Sequence, residues 1–243
     1  MKMGISTLNQ SIAPNKRIYI EGDLDNNIIV EDKLYNYLKN VLKLNKDEYL
    51  YVLNSISIGI YKILDVKKGK LILEKNSDRL LKGMPYKLTI YQSVLKREYM
   101  DNILEKSGEL GVTKFIPVYT ERCQGGINKN TMRRYRELII KGALQSELEY
   151  IPEIIDPVNV HDIVIENKQN FIFYEKCFEK TLPKIKAKDI SLFIGPEGGL
   201  ENDEVDYLKG KGFQIISPTS SILKAETAAI VFIGIIKILM ELS

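Results

Sequence analysis

Three glycines stand within five residues at Gly195-Pro196-Glu197-Gly198-Gly199, directly after the short apolar run Ser191-Leu192-Phe193-Ile194. A second polar loop, Ser217 to Leu223, leads into Lys224-Ala225-Glu226-Thr227-Ala228 at the head of a long apolar stretch. Glycine leaves main-chain N–H and C=O groups bare for a ligand to lie against, and in α/β folds ligands sit where strands run into loops. The second loop leaves the next predicted strand, Phe213 to Ile216, so in a parallel sheet both loops open on one edge and can close around one flat ligand. Lys224 and Glu226 add a cation and a carboxylate at the start of an otherwise apolar helix. The plainer alternative is a tight turn and a helix start, for which Gly, Pro and Glu are ordinary residues.

Other chemistries find little support. The glycine spacing is neither GxGxxG nor GxxxxGK, which moves dinucleotide oxidoreductases and phosphate-loop nucleotide hydrolases out of first consideration. A single histidine, His161, rules out a histidine-rich metal site; flanked by Asn159 and Asp162, it reads as structural, near a helix start. Cys123 and Cys177 belong to no metal-binding spacing and suggest no disulfide, so no metal is expected and a reducing cytoplasm is the simplest setting. The first 15 residues lack the basic-then-apolar order of a signal peptide, and the apolar run from Ala228 stops at Lys237, short of a membrane span. A formal charge of +3 is too small to imply nucleic acid by itself.

These loops must be positioned by a scaffold, and the chain changes rhythm once. From Lys16 to Asn76 short β-like runs dominate (17–20, 28–30, 49–52, 59–66 and 70–74), and one helix interrupts them, with Asp32 as its cap and Leu34, Tyr37, Leu38, Val41 and Leu42 on its buried face. That pattern predicts a small closed or half-closed β-barrel over residues 1–78. Ser77 to Pro85 reads as a connector. From residue 86 to 243 strands and helices alternate, which predicts a mostly parallel sheet covered by helices.

With these residues in view, the block from Leu192 to Leu239 resembles the C-terminal signature of the SPOUT methyltransferases, and more narrowly that of the 16S ribosomal RNA uridine-N3 methyltransferases. Their IGPEGG stands here as Ile194 to Gly199, and their ILRTETA as Ile222 to Ala228. Upstream, Lys96, Met100-Asp101, Ile103, Lys106, Glu109-Leu110-Gly111-Val112, Ile116-Pro117 and Thr120-Glu121-Arg122 follow the family's order, and Ala143-Leu144-Gln145-Ser146 follows its next element. The sequence departs where Glu147-Leu148 replaces a common Gly-Arg, where Pro218 to Ser221 replaces LG.R, where Lys224 replaces an arginine, and where Tyr35 to Leu38 and Lys43 replace His-His-Leu and a further arginine. Lysine keeps the charge there but loses the planar two-pronged fit of arginine.

The resemblance implies an α/β trefoil-knot domain behind a PUA-like RNA-binding barrel, S-adenosylmethionine as cofactor, a ribosomal RNA substrate, and a homodimer. Carried onto this sequence, it gives Tyr174, Ile194, Gly195, Glu197, Gly198, Gly199, Ser217, Ile222, Leu223 and Ala228 as cofactor-binding residues. Lys224 and Arg122 are candidates to stabilise charge on the target base, with Glu197 or Glu226 as proton acceptor. Candidate RNA contacts are Lys16, Arg17, Lys43 and Lys62, and Arg133, Arg134, Arg136 and Lys141. Two other readings fit the same residues: a SPOUT enzyme with a different RNA target, and a non-catalytic RNA-binding assembly factor.

Overall fold

The computed structural model describes residues 16–123, 125–174, 183–217 and 221–243. The chain divides into two compact units, one formed by Met1–Gly83 with Glu147–Ile151, the other by Met84–Ser146 with Pro152–Ser243.

The first unit is a five-stranded sheet of β1 (Arg17–Tyr19), β2 (Asn27–Glu31), β3 (Tyr49–Leu53), β4 (Ser57–Lys67) and β5 (Lys70–Leu80), in the order β1-β3-β4-β5-β2. Only the β1–β3 pair is parallel. Two irregularities in the β4–β5 register, at Ile60/Tyr61 and Ile63/Asp65, bend the long hairpin over a core that contains Leu38, Leu50, Val52, Ile63 and Leu71. The expected connector is shorter than predicted, because β5 runs on to Leu80 and takes Ser77 into the ladder.

The interrupting helix also differs. Asp32 has φ +52° and is its first residue; Glu31 occupies the cap position. After Asn36 the helix widens into a π turn over Tyr37–Val41. The wider turn swings Tyr37 and Val41 into solvent, while Leu38 stays buried and Leu34 and Leu42 pack against the core.

Glu147–Ile151 belongs to this first unit although flanking chain belongs to the other. Arg79 grips Glu149 with two hydrogen bonds of 2.6 and 2.9 Å, which hold its carboxyl below the usual carboxylate range. Glu147, standing where the resembled family carries glycine, has φ +60°. A non-glycine residue there is strained by roughly 1–2 kcal/mol, partly offset by the entropy glycine adds to the unfolded chain. Glu147→Gly is therefore expected to stabilise the protein by about 0.5–1 kcal/mol, raising Tm by about 1–4 °C in calorimetry. A lower Tm would contradict this account.

The second unit carries a seven-stranded sheet, parallel throughout, in the order β12-β10-β11-β6-β7-β8 with β9 also on β7. Its strands are β6 (Lys87–Ser93), β7 (Lys114–Tyr119), β8 (Glu153–Ile154), β9 (Val158–Asn159), β10 (Gln169–Phe173), β11 (Asp189–Ile194) and β12 (Phe213–Ile216). Its long helices are α2 (Arg97–Glu109), α3 (Lys129–Gln145), α4 (Asn202–Gly210) and α5 (Ala225–Glu241), with the helix at Asp32–Asn36 counted as α1. β6 and β11 are buried along almost their whole length, as central strands covered on both faces must be. One face packs with α4 through Ile172, Phe193, Val205 and Leu208; on the other, α5 lies against the sheet with Phe173 and Phe232 rings 4.1 Å apart.

One of the family-like segments is structural. Glu109-Leu110-Gly111-Val112 stops α2: Gly111 has φ +83°, its N–H bonds the Gly108 carbonyl, and the Val112 N–H bonds the Ser107 carbonyl, the paired reach-back of a Schellman cap. His161 lies in a single 3-10 turn (Val160–Asp162), not at the head of a longer helix. Its ring meets Tyr207 edge-on and its carbonyl accepts the Tyr207 hydroxyl, a packing role as expected. Cys123 is a free thiol, and Cys177 lies outside the described residues. Among the described residues no helix is long and apolar enough to cross a membrane, and no group of side chains could hold a metal ion.

Candidate active site

A cleft of about 310 Å³ opens at the carboxyl edge of the parallel sheet. Its glycine loop begins where β11 ends. The Gly199 N–H closes a turn onto the Pro196 carbonyl at 3.0 Å, and Gly199 takes φ +72°, a conformation that side chains rarely adopt. Gly195 packs directly under Leu200, where an added Cβ would sit 3.1 Å from Leu200 Cγ.

The loop is clamped from β7. Arg122 donates to the Gly198 carbonyl from Nη1 at 2.7 Å and to Glu201 Oε1 from Nε at 2.7 Å. Glu204, 2 % exposed, accepts the Glu121 N–H at 2.8 Å with one oxygen and the Glu201 N–H at 2.9 Å with the other, the second bond being half of a capping box at the start of α4. The Thr120-Glu121-Arg122 and glycine-loop motifs thus form one hydrogen-bonded unit. Glu204 was not singled out from the sequence; its only signal was its place three residues after a capping position.

The opposite wall is the head of α5. Lys224 is its N-cap residue, with its carbonyl taking the Ala228 N–H at 2.8 Å. Ile222, Leu223, Lys224, Ala225, Glu226 and Ala228 line the cleft, facing Ile194, Gly195, Pro196, Glu197 and Gly199. Pro218 to Ser220, part of the predicted second loop, lies outside the described residues.

The two loops do not leave adjacent strands. β10 lies between β11 and β12, and its last residue, Phe173, in register with Ile194, lines the cleft. Side chains alternate along a strand, so Tyr174 packs with the opposite core and its N–H reaches the Ile216 carbonyl at 3.3 Å. After β6 come Lys96, the N-cap residue of α2, and Tyr99 in its first turn, which complete the lining and were not predicted as site residues. Their signal was β6 itself, which becomes the neighbour of β11 only in the folded sheet.

Of the predicted residues, Ile194, Gly195, Glu197, Gly199, Ile222, Leu223, Lys224, Glu226 and Ala228 meet in one cleft. Tyr174, Gly198, Ser217 and Arg122 do not line it. Ser217 is buried, and Gly198 presents its carbonyl to Arg122.

The predicted RNA contacts are mostly engaged within the protein. Lys16 pairs with Glu48 at 3.1 Å, Lys62 with Asp47 at 2.7 Å, Arg134 with Asp101 at 3.0 Å, Lys141 with Glu105 at 3.1 Å, and Arg133 more loosely with Glu137 at 3.9 Å. Arg17 lies over the Tyr51 ring at 5.2 Å, and its burial lowers the guanidinium pKa. Lys43 is exposed, with φ +52°.

A family model described as an RNA methyltransferase domain matches residues 82–237. A ribosomal RNA small subunit methyltransferase E from Rickettsia conorii is 31% identical over 235 residues, covering 92% of this chain and 95% of that protein. The chain belongs to this RNA methyltransferase family. A relative of the same name from Aquifex aeolicus is 30% identical, covering 81% of this chain and 88% of its own. Among solved structures, a Legionella pneumophila protein in complex with the bound cofactor S-adenosylmethionine (SAM) superposes with a TM-score of 0.83 at 28% identity, covering 92% of this chain and 97% of that one. A ribosomal RNA small subunit methyltransferase E from Neisseria gonorrhoeae bound to S-adenosylmethionine gives 0.79 at 26% identity, with the same coverage. This RNA methyltransferase thus carries its glycine loop, α5 head and clamp within the matched span.

Proposed function

We propose that this chain methylates N3 of a uridine in 16S ribosomal RNA with S-adenosylmethionine as donor. The observation that carries the proposal is the single cleft shared by the glycine loop and the head of α5 in a member of this family. The lining suits the donor: bare main chain and the apolar Phe173, Ile194, Leu223 and Ala228 for a flat heterocycle, with Glu197, Glu226 and Lys96 for the charges of a zwitterionic sulfonium.

The donor supplies an activated methyl group, transferred as its C–S electron pair returns to sulfur. The protein therefore has to bind, align and exclude water. Gly195 and Gly199 let the donor lie against peptide groups. Lys224 stabilises the negative charge that spreads over the uracil oxygens as N3 loses its proton, and Glu197 or Glu226 takes that proton. Lys96 and Tyr99 receive the incoming base, the Tyr99 ring by stacking. Arg122 acts as a positioning residue that fixes the glycine loop. Lys43 and the exposed basic side chains of residues 1–78 contribute RNA contacts.

Three further features accompany this reading. Residues 1–78 act as a PUA-like RNA-binding barrel, supported by the five-stranded, bulged sheet. Residues 86–243 form a trefoil knot, supported by the insertion of β11 between β6 and β10 and by the return of the 221–224 segment to the β11 loop. The enzyme works as a homodimer, supported by the exposed apolar Val231 and Ile238 on α5, and the cytoplasm is its proposed setting. A monomeric mass in light scattering would remove the dimer.

Recombinant protein incubated with undermethylated small subunits and labelled donor is expected to place one methyl group at a uridine N3, located by primer extension and mass spectrometry. Labelling of another nucleotide would leave a different RNA target. No heat with millimolar S-adenosylmethionine in calorimetry would instead favour the non-catalytic assembly factor. Lys224→Ala is expected to lower kcat by about 10²–10³-fold while donor affinity changes by less than about threefold, the loss seen when one preorganised charge-stabilising donor is removed. Lys224→Arg should retain most activity, and an unchanged kcat for the alanine variant would remove Lys224 from catalysis.

A further inference from the structure

The basic residues that sequence alone put forward are largely paired with carboxylates, whereas another set is not. Lys184, Lys186 and Lys188 alternate with Ile185 and Ala187 in the segment leading into β11, and all three are exposed. Lys168 and Lys87 lie beside them, and these five lysines border two adjoining depressions that contain one carboxylate, Asp189. Asp189 is already engaged by the Asn167 amide. None of these five lysines makes a salt bridge among the described residues, although the charge of Lys87 acts on the nearby Glu166 carboxyl.

The row is held in shape. The Gln169 side chain donates to the Lys184 carbonyl at 2.7 Å and accepts the Lys186 N–H at 3.0 Å, standing in for a neighbouring strand. The Lys87 N–H bonds the Lys188 carbonyl at 2.8 Å. Exposure alternates along the segment, with Ile185 and Ala187 half-buried between exposed lysines, so the three lysines stand out to solvent together up to a bend at Lys188. The row lies at the amino edge of the sheet, about 20 Å from the cleft by the length of β11.

We propose that Lys184, Lys186 and Lys188, flanked by Lys168 and Lys87, form a phosphate-backbone docking strip for the RNA substrate. The strip would grip a part of the RNA distant from the modified base. It rests on the RNA methyltransferase reading and adds where the RNA lies. Phosphate contacts of this kind fix position and register and carry no sequence information, which suits lysine rather than arginine.

The test compares full-length protein with the Lys184→Gln/Lys186→Gln/Lys188→Gln variant, using a 16S ribosomal RNA transcript as probe. Each lost phosphate contact lowers the slope of log K against log salt by about 0.7–0.9, so the triple variant should lose about 2–3 units of slope and bind roughly 10- to 100-fold more weakly at 0.15 M salt. S-adenosylmethionine affinity should stay at the wild-type value, which establishes that the fold and cleft survive. The triple Lys→Arg variant should restore the slope. An unchanged slope in the glutamine variant overturns the proposal and leaves the row as a solvated face. Salt-independent or absent binding by the wild type would instead overturn the 16S ribosomal RNA target proposed beneath it.

Discussion

Gly199→Val is expected to abolish S-adenosylmethionine binding, with affinity reduced at least 100-fold in calorimetry and methyl transfer lost at any practical donor concentration. Gly199 has φ +72° and lines the cleft. A β-branched residue pays the full steric penalty of the left-handed region, roughly 1–2 kcal/mol, and escapes it only by rotating the peptide that closes the turn onto Pro196. Either outcome harms the site: a retained turn directs two methyl groups from the cleft wall, and a broken turn misplaces the main-chain groups that face the donor. The Arg122 and Glu204 clamp should preserve the rest of the fold, so Tm should fall by only a few degrees. Donor affinity within tenfold of wild type would show that the loop is a structural turn and that the cleft is not built on it.

The second large effect falls outside the cleft. α2 and α3 cross with their backbones in contact at Gly108 and Gly142. A Cβ on Gly108 would overlap the Ile139 carbonyl oxygen and lie 2.8 Å from Ala143 N; a Cβ on Gly142 would overlap the Glu105 carbonyl oxygen and lie 3.0 Å from Glu109 N. Backbone atoms cannot turn aside as a side chain can, so either Gly→Ala change must drive the helices apart. Helix propensity alone predicts that Ala for Gly stabilises by about 1 kcal/mol, so the sign of the result separates the two effects. Each variant is expected to destabilise by about 3 kcal/mol, lowering Tm by about 6–12 °C. Because Tyr99 sits in the first turn of α2 and lines the cleft, KM for RNA should rise as well. A gain in stability would mean that the helices separate without penalty.

The amino-acid sequence by itself determined the chemistry-bearing segments and most elements. The Phe213 to Ile216 strand is found at the predicted residues, and the helices around residues 97–109 and 202–210 lie within a residue or two of expectation, because buried strands and amphipathic helices write their periodicity into local sequence. The glycine loop and the head of α5 were legible for another reason: locally they read equally well as a turn and a helix start, and it was the order and spacing of several such blocks that matched a known family.

Tertiary structure decided what those segments touch. Strand order is set by crossovers, which leave no local trace, so the insertion of β10 between β11 and β12, the arrival of Phe173, Lys96 and Tyr99 in the cleft, and the turning away of Tyr174 were invisible beforehand. Arg122 could be recognised as important from its motif, yet only the fold shows it bracing the Gly198 carbonyl. Glu147–Ile151 joining the first unit is of the same kind, since its partner Arg79 lies 70 residues away along the chain. The lysines tell the same story: composition fixes how many there are, and the folded surface decides which find a carboxylate and which remain available to a polyanion, because pairing depends on neighbours in space.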